Sequence, residues 1–336
     1  RPILSDNCYF CHGPDKNKRE AELRLHTQEG LVGDSSNGAV VTPGKLEESE
    51  LWRRVTTTDA DERMPPAASA KQLSAEQIDL LRRWIEQGAP WEGHWSFTPI
   101  RRSAPPSLEG EADVQPLDAF IVRDLQTHGL ELSPTAPAHV LARRLAFDLT
   151  GLPPTSDDVA ALAADSSGAG YEQLVDRLLA SPQFGERMSV WWLDLVRYAD
   201  TVGYHGDQPV SVFPFRDWVI NAFNENKRFD EFTVEQLAGD LLPEPTLAQR
   251  IASGYNRLGM MSAEGGVQDK EYRAKYAAER VRNASLTWMG STLGCAECHD
   301  HKFDPFTAQD FYRFEAFFAD IEERGFYGGA NATGDW

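Results

Sequence analysis

The 336-residue sequence predicts an all-α fold made of a small amino-terminal domain and a larger, mostly helical domain. Apolar residues recur at the three- and four-residue spacing of amphipathic helices through most of the chain. Ser, Thr or Pro often precedes these segments and Gly or Gly-Pro often follows them, as is typical of helix ends. A chain of this length can form about two domains, each with a core of its own.

All four cysteines of the chain lie in two copies of a Cys-x-x-Cys-His motif. The copies comprise Cys8, Cys11 and His12, and Cys295, Cys298 and His299. In covalent haem attachment, two thiols bond to the two vinyl groups of one porphyrin, and the next residue places an imidazole on the iron. The sequence therefore predicts two covalently attached haems c, with His12 and His299 as proximal iron ligands.

Two other uses of paired cysteines compete with haem. A structural zinc site with four thiolates usually draws its pairs from within a few tens of residues, whereas these pairs lie near opposite ends of the chain. A redox disulfide of the thioredoxin kind predicts a strand followed by a helix and gives the histidine no role. Haem explains the histidine in both copies, so it is the preferred interpretation.

Residues 1–92 are expected to form a domain of the class I cytochrome c kind. The first motif should end a short helix, because a Gly-Pro pair follows it. A turn-rich stretch then leads to Met64, which two following prolines hold in an extended loop. This setting suits a thioether ligand on the open face of the haem iron. A helix with Ser74 as N-cap and Gln77 at the capping-box position then closes the domain.

Residues 93–116 are polar and broken by prolines, so they are expected to form a linker. Residues 117–336 should form the helical domain that carries the second motif. Pro116 should open its first helix. The apolar face of that helix is expected to comprise Leu117, Phe120, Ile121 and Leu125.

Further helices are expected along the rest of the chain. They are predicted over 138–149, 171–179, 184–198, 215–223, 234–242, 247–258 and 272–288. Another is predicted with Thr155 or Ser156 as its N-cap, and a last one begins at Thr307 or Ala308. The helix over 184–198 carries Trp191 and Trp192 and is too aromatic to be expected to face solvent. The last helix carries four phenylalanines, which are interpreted as core residues in preference to a haem wall.

The charge balance is acidic, with 33 Lys and Arg against 52 Asp and Glu and a net charge of −19. This argues against a nucleic-acid partner, which would need a basic footprint. The acidity is explained by solvation, or by steering toward a positively charged redox partner. No apolar run approaches the roughly 20 residues needed to span a bilayer, so no transmembrane segment is expected.

Covalent haem is attached outside the cytoplasm. The haem interpretation therefore predicts a periplasmic or otherwise exported protein. Its signal segment is expected to have been removed or to lie upstream of Arg1.

The residues around the first motif resemble the planctomycete-type cytochrome c domain. The match lies in residues 2–8, which read Pro-Ile-Leu-Ser-Asp-Asn-Cys, and in 11–15, which read Cys-His-Gly-Pro-Asp. The rest is similar to the uncharacterised domain commonly fused behind it in large exported planctomycete and verrucomicrobial proteins. The matching stretches there are 148–155, 192–194, 197–200, 216–219, 235–240 and 295–305. The resemblance implies an exported haem protein. It also implies a further carboxy-terminal domain, so the chain is either truncated at Trp336 or accompanied by a separate domain or subunit.

The two irons are expected to differ. His12 and Met64 would close the first iron with six ligands and raise its potential, which suits electron transfer without substrate binding. The side of the second iron opposite His299 is either empty or filled by one of four candidates. These are Met260, Met261, Met289 and His205. His301 is too close in sequence to reach that side. Together with Lys302 it is interpreted as a contact for a haem propionate or as a local hydrogen-bonding residue.

An open second iron would need acid–base groups around it. The candidates are Arg197, Asp200, Tyr204, His205 and Glu264. A structural salt bridge on a helix turn is the preferred interpretation of the Arg197–Asp200 pair. Asp300 and Asp304 flank the second motif and are weak candidates for a cation such as calcium. No catalytic residue is assigned.

Three functions are consistent with these features. The first is an exported di-haem c-type cytochrome that transfers electrons to or from a redox partner. The second is a haem-dependent oxidoreductase in which the first haem feeds an open second iron that acts on peroxide or on an organic or carbohydrate-type substrate. The third is a haem-bearing structural or docking subunit of a larger redox assembly.

Overall fold

In the computed structural model, the described residues are 2–32, 34–35, 38–93, 95–108, 114–165, 168–204, 207–262 and 268–323. They form α-helices joined by loops and short 3-10 turns, with one small antiparallel hairpin of β1 (Asp34–Ser35) and β2 (Gly38–Ala39). The prediction of an all-α fold is confirmed. Within the described ranges, none of the helices combines the length and the apolar character needed to cross a bilayer.

From Ala75 onward the helices follow the predicted order closely, whereas the helices Gln28–Val32 and Glu50–Thr56 lie in the stretch that was predicted to be turn-rich. In chain order the helices are α1 (Pro2–Asn7), α2 (Tyr9–His12), α3 (Gln28–Val32), α4 (Glu50–Thr56), α5 (Ala75–Glu86), α6 (Pro116–Thr127), α7 (Ala138–Thr150), α8 (Ser156–Ala164), α9 (Ala169–Leu179), α10 (Pro182–Leu195), α11 (Phe213–Asn224), α12 (Phe229–Ala238), α13 (Leu247–Ala252), α14 (Asp269–Met289) and α15 (Ala308–Glu315). The 3-10 turns are Ala67–Ser69, Trp95–Phe97, Gly239–Leu241, Ser253–Arg257, Leu293–Glu297 and Ala316–Phe318.

The chain divides into two compact units. The first comprises Arg1–Ile100 and Thr292–Phe317, and the second comprises Arg101–Ser291 and Phe318–Trp336. Both Cys-x-x-Cys-His motifs therefore belong to the first unit. The domain boundaries expected from the sequence, 1–92, 93–116 and 117–336, stay a prediction.

The first unit is built on an aliphatic core between its short helices. Its most deeply buried members are Leu25, Leu31, Val41 and Ile85. Helix α5 begins with the predicted capping box. Gln77 N donates to Ser74 Oγ at 3.2 Å, and Ser74 N donates to Gln77 Oε1 at 2.9 Å. These two bonds satisfy backbone donors that the start of a helix leaves without partners.

The second unit has a more aromatic core. Trp218 stacks on Phe232 at 5.2 Å, and Trp192 meets the same ring edge-on at 4.8 Å. Gln236 is fully buried among these rings. Its Oε1 accepts from Trp192 Nε1 at 2.8 Å, and its Nε2 donates to Phe232 O at 3.0 Å, so its burial is compensated by hydrogen bonds.

Three predictions about buried residues were wrong. Phe317, one of the four phenylalanines assigned to the last helix and interpreted as core, lies beyond α15 and is 82% exposed. On α6, Leu117 is 82% exposed and Ile121 is also exposed, whereas Ala119 and Val122 are buried. This helix is apolar on more than one side, so its sequence pattern does not select the face that meets the core. On α10, Trp191 is 64% exposed, with the Arg187 guanidinium 5.3 Å from its ring centroid.

Helices α10 and α11 approach each other closely at Gly185. A Cβ added there would lie 2.4 Å from the carbonyl oxygen of Ile220. Asn224 on α11 secures the contact, since its Oδ1 accepts from Gly185 N at 2.8 Å and its Nδ2 donates to Pro182 O at 3.1 Å. The absence of a side chain at position 185 is therefore a packing requirement.

We expect Gly185→Ala to lower the free energy of unfolding by about 1–3 kcal/mol, because the added methyl group must push α10 and α11 apart. Chemical denaturation of the purified protein measures this change. Val190→Ala is the matched control on an exposed position of the same helix, and its effect should stay within about 0.5 kcal/mol. Equal effects of the two substitutions would contradict the close contact.

Candidate functional site

The first motif lies where α1 passes into α2. Cys8 occupies the N-cap position of α2, and Cys11 lies three residues further on within that helix. His12 N donates to Cys8 O at 2.9 Å, which fixes the motif as a single helical turn. Both thiols are free and half-buried. Residues three apart on a helix share a face, so this turn can present both sulfurs to one planar group.

The imidazole of His12 has a defined tautomer. Its Nδ1 lies 3.2 Å from the carbonyl oxygen of Glu20. A carbonyl oxygen only accepts hydrogen bonds, so Nδ1 must carry the proton and Nε2 keeps its lone pair for a metal. The loop that supplies this carbonyl folds back on the motif, because Glu20 N donates to Cys11 O at 2.7 Å and Leu25 N donates to His12 O at 2.9 Å.

The Cys8 thiol resists ionisation. Burial raises its pKa to about 11, and the neighbouring Cys11 adds to the increase. At neutral pH this sulfur is therefore a protonated thiol in the protein without haem.

Arg54 holds the loop that carries Met64. The backbone N–H of Met64 donates to Arg54 O at 2.9 Å. The Arg54 guanidinium donates to Glu62 O at 3.2 Å and to Glu50 Oε1 at 2.7 Å. Met64 is half-buried and belongs to the same unit as His12. Its role as an iron ligand stays a prediction.

Glu50 remains ionised in acid. Hydrogen bonds from Arg53 and Arg54 lower its pKa from the ordinary 4.5 to about 2. A carboxylate with a lowered pKa contributes its full stabilisation above the unfolded-state value of about 4.5, and the contribution is lost as the pH falls toward 2. The support of the Met64 loop by Glu50 and Arg54 is therefore maintained at neutral pH.

The second motif lies on the surface of the same unit. Cys295 falls in the 3-10 turn Leu293–Glu297, and Cys298 and His299 follow it. All three side chains are exposed, and both thiols are free. His299 Nδ1 lies 2.9 Å from the carbonyl oxygen of Asp300. The same tautomer argument leaves Nε2 of His299 free for a metal.

His301 is a structural residue of the loop after the second motif. It is only 6% exposed. Its Nδ1 accepts from Asp304 N at 2.8 Å, and its Nε2 lies 3.2 Å from Thr292 Oγ1. Its Nδ1 therefore lacks a proton, the reverse of the tautomer of His299. Of the two roles suggested by the sequence, the structure supports local hydrogen bonding.

The flanking carboxylates also make local contacts. Asp300 Oδ1 accepts from Ala308 N at 2.9 Å, and an Asp304 carboxylate oxygen lies 3.6 Å from His301 Nδ1. Among the described residues, no group of three or more His, Cys, Asp or Glu side chains is placed to hold a metal ion. The four cysteines, all of them described, are therefore not gathered into a four-thiolate zinc site.

The other candidate ligands belong to the second unit. Met261 is buried in a cluster with Val202 and Tyr276, whereas Met260 and Met289 are exposed. Tyr204 meets the Tyr272 ring edge-on at 5.8 Å. His205 and Glu264 lie outside the described residues.

The predicted salt bridge between Arg197 and Asp200 was wrong. Arg197 pairs with Glu279, and Asp200 Oδ1 accepts from Tyr198 Oη at 2.6 Å. Helix α10 ends at Leu195, and Arg197 has a φ of 61°, so positions 197 and 200 do not share a helical turn. Burial and the contact with Asp200 raise the pKa of Tyr198 to about 12.

Sequence reasoning missed two supporting residues, one at the first motif and one at the Met64 loop. Glu20 contributes through its backbone carbonyl, for which no side-chain signal exists. Arg54 could have been found from its four-residue spacing with Glu50, which is typical of helix ion pairs.

Paired free thiols followed by an imidazole with a free Nε2 fit covalent haem attachment. The fold and this site define a haem-binding cytochrome of the c class. Residues 8–68, which include the first motif and Met64, match the family model for Planctomycete cytochrome C. Residues 116–323 match the model of PSCyt2, a protein of unknown function (DUF1549).

The PSCyt2 match covers more than half of the chain, so the chain belongs to this family. The resemblance drawn from the sequence is confirmed for both parts. Searches of the curated proteins and of the solved structures gave no match.

We expect the Cys8 thiol of the haem-free protein to react with iodoacetamide about tenfold faster for each unit of pH between 8 and 10, because only the thiolate reacts and its pKa is about 11. Mass spectrometry of the peptide that carries Cys8, in a Cys11→Ser background, measures the rate. The Cys11→Ser change removes only the smaller cause of the raised pKa, the neighbouring thiol, and leaves burial in place. The steep increase of the reaction rate with pH should therefore persist. A rate that levels off below pH 9 would contradict burial as the main cause.

Proposed function

We propose that this protein is an exported di-haem c-type cytochrome that transfers electrons through one haem held at His12 and another held at His299. The observation that carries the proposal is the shared donor set of the two motifs. Each has two free thiols and a histidine whose Nδ1 is bound to a backbone carbonyl. Both motifs belong to the same compact unit.

The protein's own groups would set the properties of the two sites. Bound haem supplies a one-electron couple. The Nδ1–H bonds to Glu20 O and Asp300 O orient each imidazole and increase the basicity of Nε2. Met64, held by Arg54, would be the second ligand at the first site, where its thioether would favour the reduced state and leave no position for a substrate.

A second candidate function is a haem-dependent oxidoreductase with an open second iron. The first unit contains two motif histidines, but Met64 is the one methionine in its residue ranges. If Met64 closes the first iron, no thioether of that unit remains for the second. An open iron of this kind could bind peroxide or another small substrate.

Export and a protein partner complete the proposal. Cytochrome c domains of this kind are commonly exported. The net charge of −19 favours a positively charged redox partner, since opposite charges accelerate encounter.

We expect the protein, expressed with a haem-attachment system, to carry two haems per chain. Mass spectrometry and the absorbance of the reduced haem measure the number. Cys295→Ser with Cys298→Ser should retain one haem, and the added Cys8→Ser and Cys11→Ser changes should abolish attachment. One haem in the unaltered protein would contradict the di-haem proposal.

The same samples distinguish the carrier from the enzyme. Carbon monoxide added after dithionite reduction should leave the spectrum unchanged if both irons are closed. A change in about half of the haem would favour the open second iron, because carbon monoxide needs a vacant coordination position.

We expect Arg54→Ala to weaken the binding of Met64 to the first iron, because the substitution removes the guanidinium bond to Glu62 O in the loop and the ion pair with Glu50 on α4. Measured in the Cys295→Ser, Cys298→Ser protein, the midpoint potential should fall and carbon monoxide should bind. Met64→Ala should show the full effect. Arg24→Ala, at an exposed position of the same unit, is the control. It should change neither the midpoint potential nor the binding of carbon monoxide. If the Cys295→Ser, Cys298→Ser protein with no further substitution binds carbon monoxide, Met64 is not the ligand.

A further inference from the structure

A cavity of about 990 Å³ opens in the first unit. Its walls come from α1, α5, the segment after α5 and the loop that follows the second motif. Among the described residues, the attachment cysteines and the two motif histidines lie outside its lining. Its volume is at the upper end of the range for ligand cavities, roughly 300–1,000 Å³. It is therefore large enough for a bulky cofactor.

The lining suits a flat apolar ligand with a negatively charged edge. Trp84, Trp91 and Phe303 contribute aromatic rings, and Leu80 contributes an aliphatic side chain. Leu80 is 47% exposed and Phe303 is 52% exposed, so a ligand placed here would cover apolar surface that now faces water. Among the described residues of the lining, Lys302 is the one cation, and its ammonium lies over the Phe303 ring at 4.6 Å.

The cavity is within reach of the second motif. Lys302 follows His299 by three residues, so their Cα atoms can be at most about 11 Å apart. The buried, hydrogen-bonded His301 holds the intervening loop in place. The loop after the second motif therefore joins the attachment cysteines to one wall of the cavity.

The cavity also borders the first motif. Tyr9, which stands between Cys8 and Cys11, contributes to its lining and is itself part of the buried core. The first motif thus contributes Tyr9 to this apolar space, and the loop after the second motif contributes Lys302 and Phe303.

We propose that this cavity receives the porphyrin attached to the second motif, with Lys302 pairing with a haem propionate and Tyr9 lying between the two haem sites. The inference rests on the proposed di-haem function. Burial of the porphyrin against Trp84, Trp91 and Phe303 removes apolar surface from water, and the ammonium of Lys302 compensates a carboxylate at the cavity edge. The carboxylates of Asp6 and Glu92 also line the cavity, so the propionates are directed toward Lys302.

The first test is a redox titration of the two-haem protein carrying Lys302→Glu. A negative charge beside a haem stabilises its oxidised form, so the midpoint potential of the second haem should fall while that of the first is unchanged. The Cys295→Ser, Cys298→Ser protein identifies which potential belongs to the first haem. Lys71→Glu introduces the same charge change at an exposed position of this unit and is the control. The cavity assignment would be overturned if Lys302→Glu shifted the midpoint potential of the first haem alone. It would also be overturned if the shift at the second haem were no larger than the shift caused by Lys71→Glu.

The second test is amide hydrogen exchange. Residues 2–9 and 80–93 should exchange faster in the Cys295→Ser, Cys298→Ser protein than in the two-haem protein, because the porphyrin no longer covers α1 and α5. Intact masses of the same samples report the haem number. Two haems with unchanged exchange would overturn the cavity assignment alone. A single haem in the unaltered protein would overturn the di-haem function and the cavity assignment together.

Discussion

The hydrogen bond from Nδ1 of each motif histidine to a backbone carbonyl is the interaction on which both candidate sites depend. It determines the tautomer and leaves Nε2 as the only metal-binding atom of the ring. The two motifs obtain it differently. His299 uses the carbonyl of the next residue, Asp300, whereas His12 uses that of Glu20. The first site therefore requires residues 13–25 to fold back on α2, and the second requires only a local turn.

Burial gives chemically identical side chains different roles around the second motif. His299 and His301 are two residues apart, yet His299 is exposed with a protonated Nδ1, while His301 is buried and accepts hydrogen bonds at Nδ1. One is free to bind a metal, and the other holds the loop that reaches the cavity. Arg54 plays a comparable supporting part for the loop that carries Met64.

The residue range of the PSCyt2 match does not coincide with the boundaries of the two compact units. The PSCyt2 match begins at residue 116 and runs to 323, so it includes Thr292–Phe317, which folds with the amino-terminal hundred residues. All four cysteines, both motif histidines and Met64 consequently belong to the first unit. The second unit contributes an aromatic core around Trp218 and Phe232 and carries none of the attachment residues. The candidate redox residues are therefore concentrated in one compact unit, although they come from both ends of the sequence.

Features that depend on neighbours within one helical turn could be predicted from the sequence. These are the order of the helices from α5 onward, the Ser74–Gln77 capping box and the spacing of thiols and histidine in each motif, because the interacting groups are three or four residues apart. The tertiary structure was needed to show that α6 buries Ala119 rather than Leu117 and that Arg197 pairs with Glu279. It was also needed to show that Tyr9 of the first motif and the loop after the second motif line one cavity. Those outcomes depend on which distant surfaces meet, and local spacing contains no information about that choice.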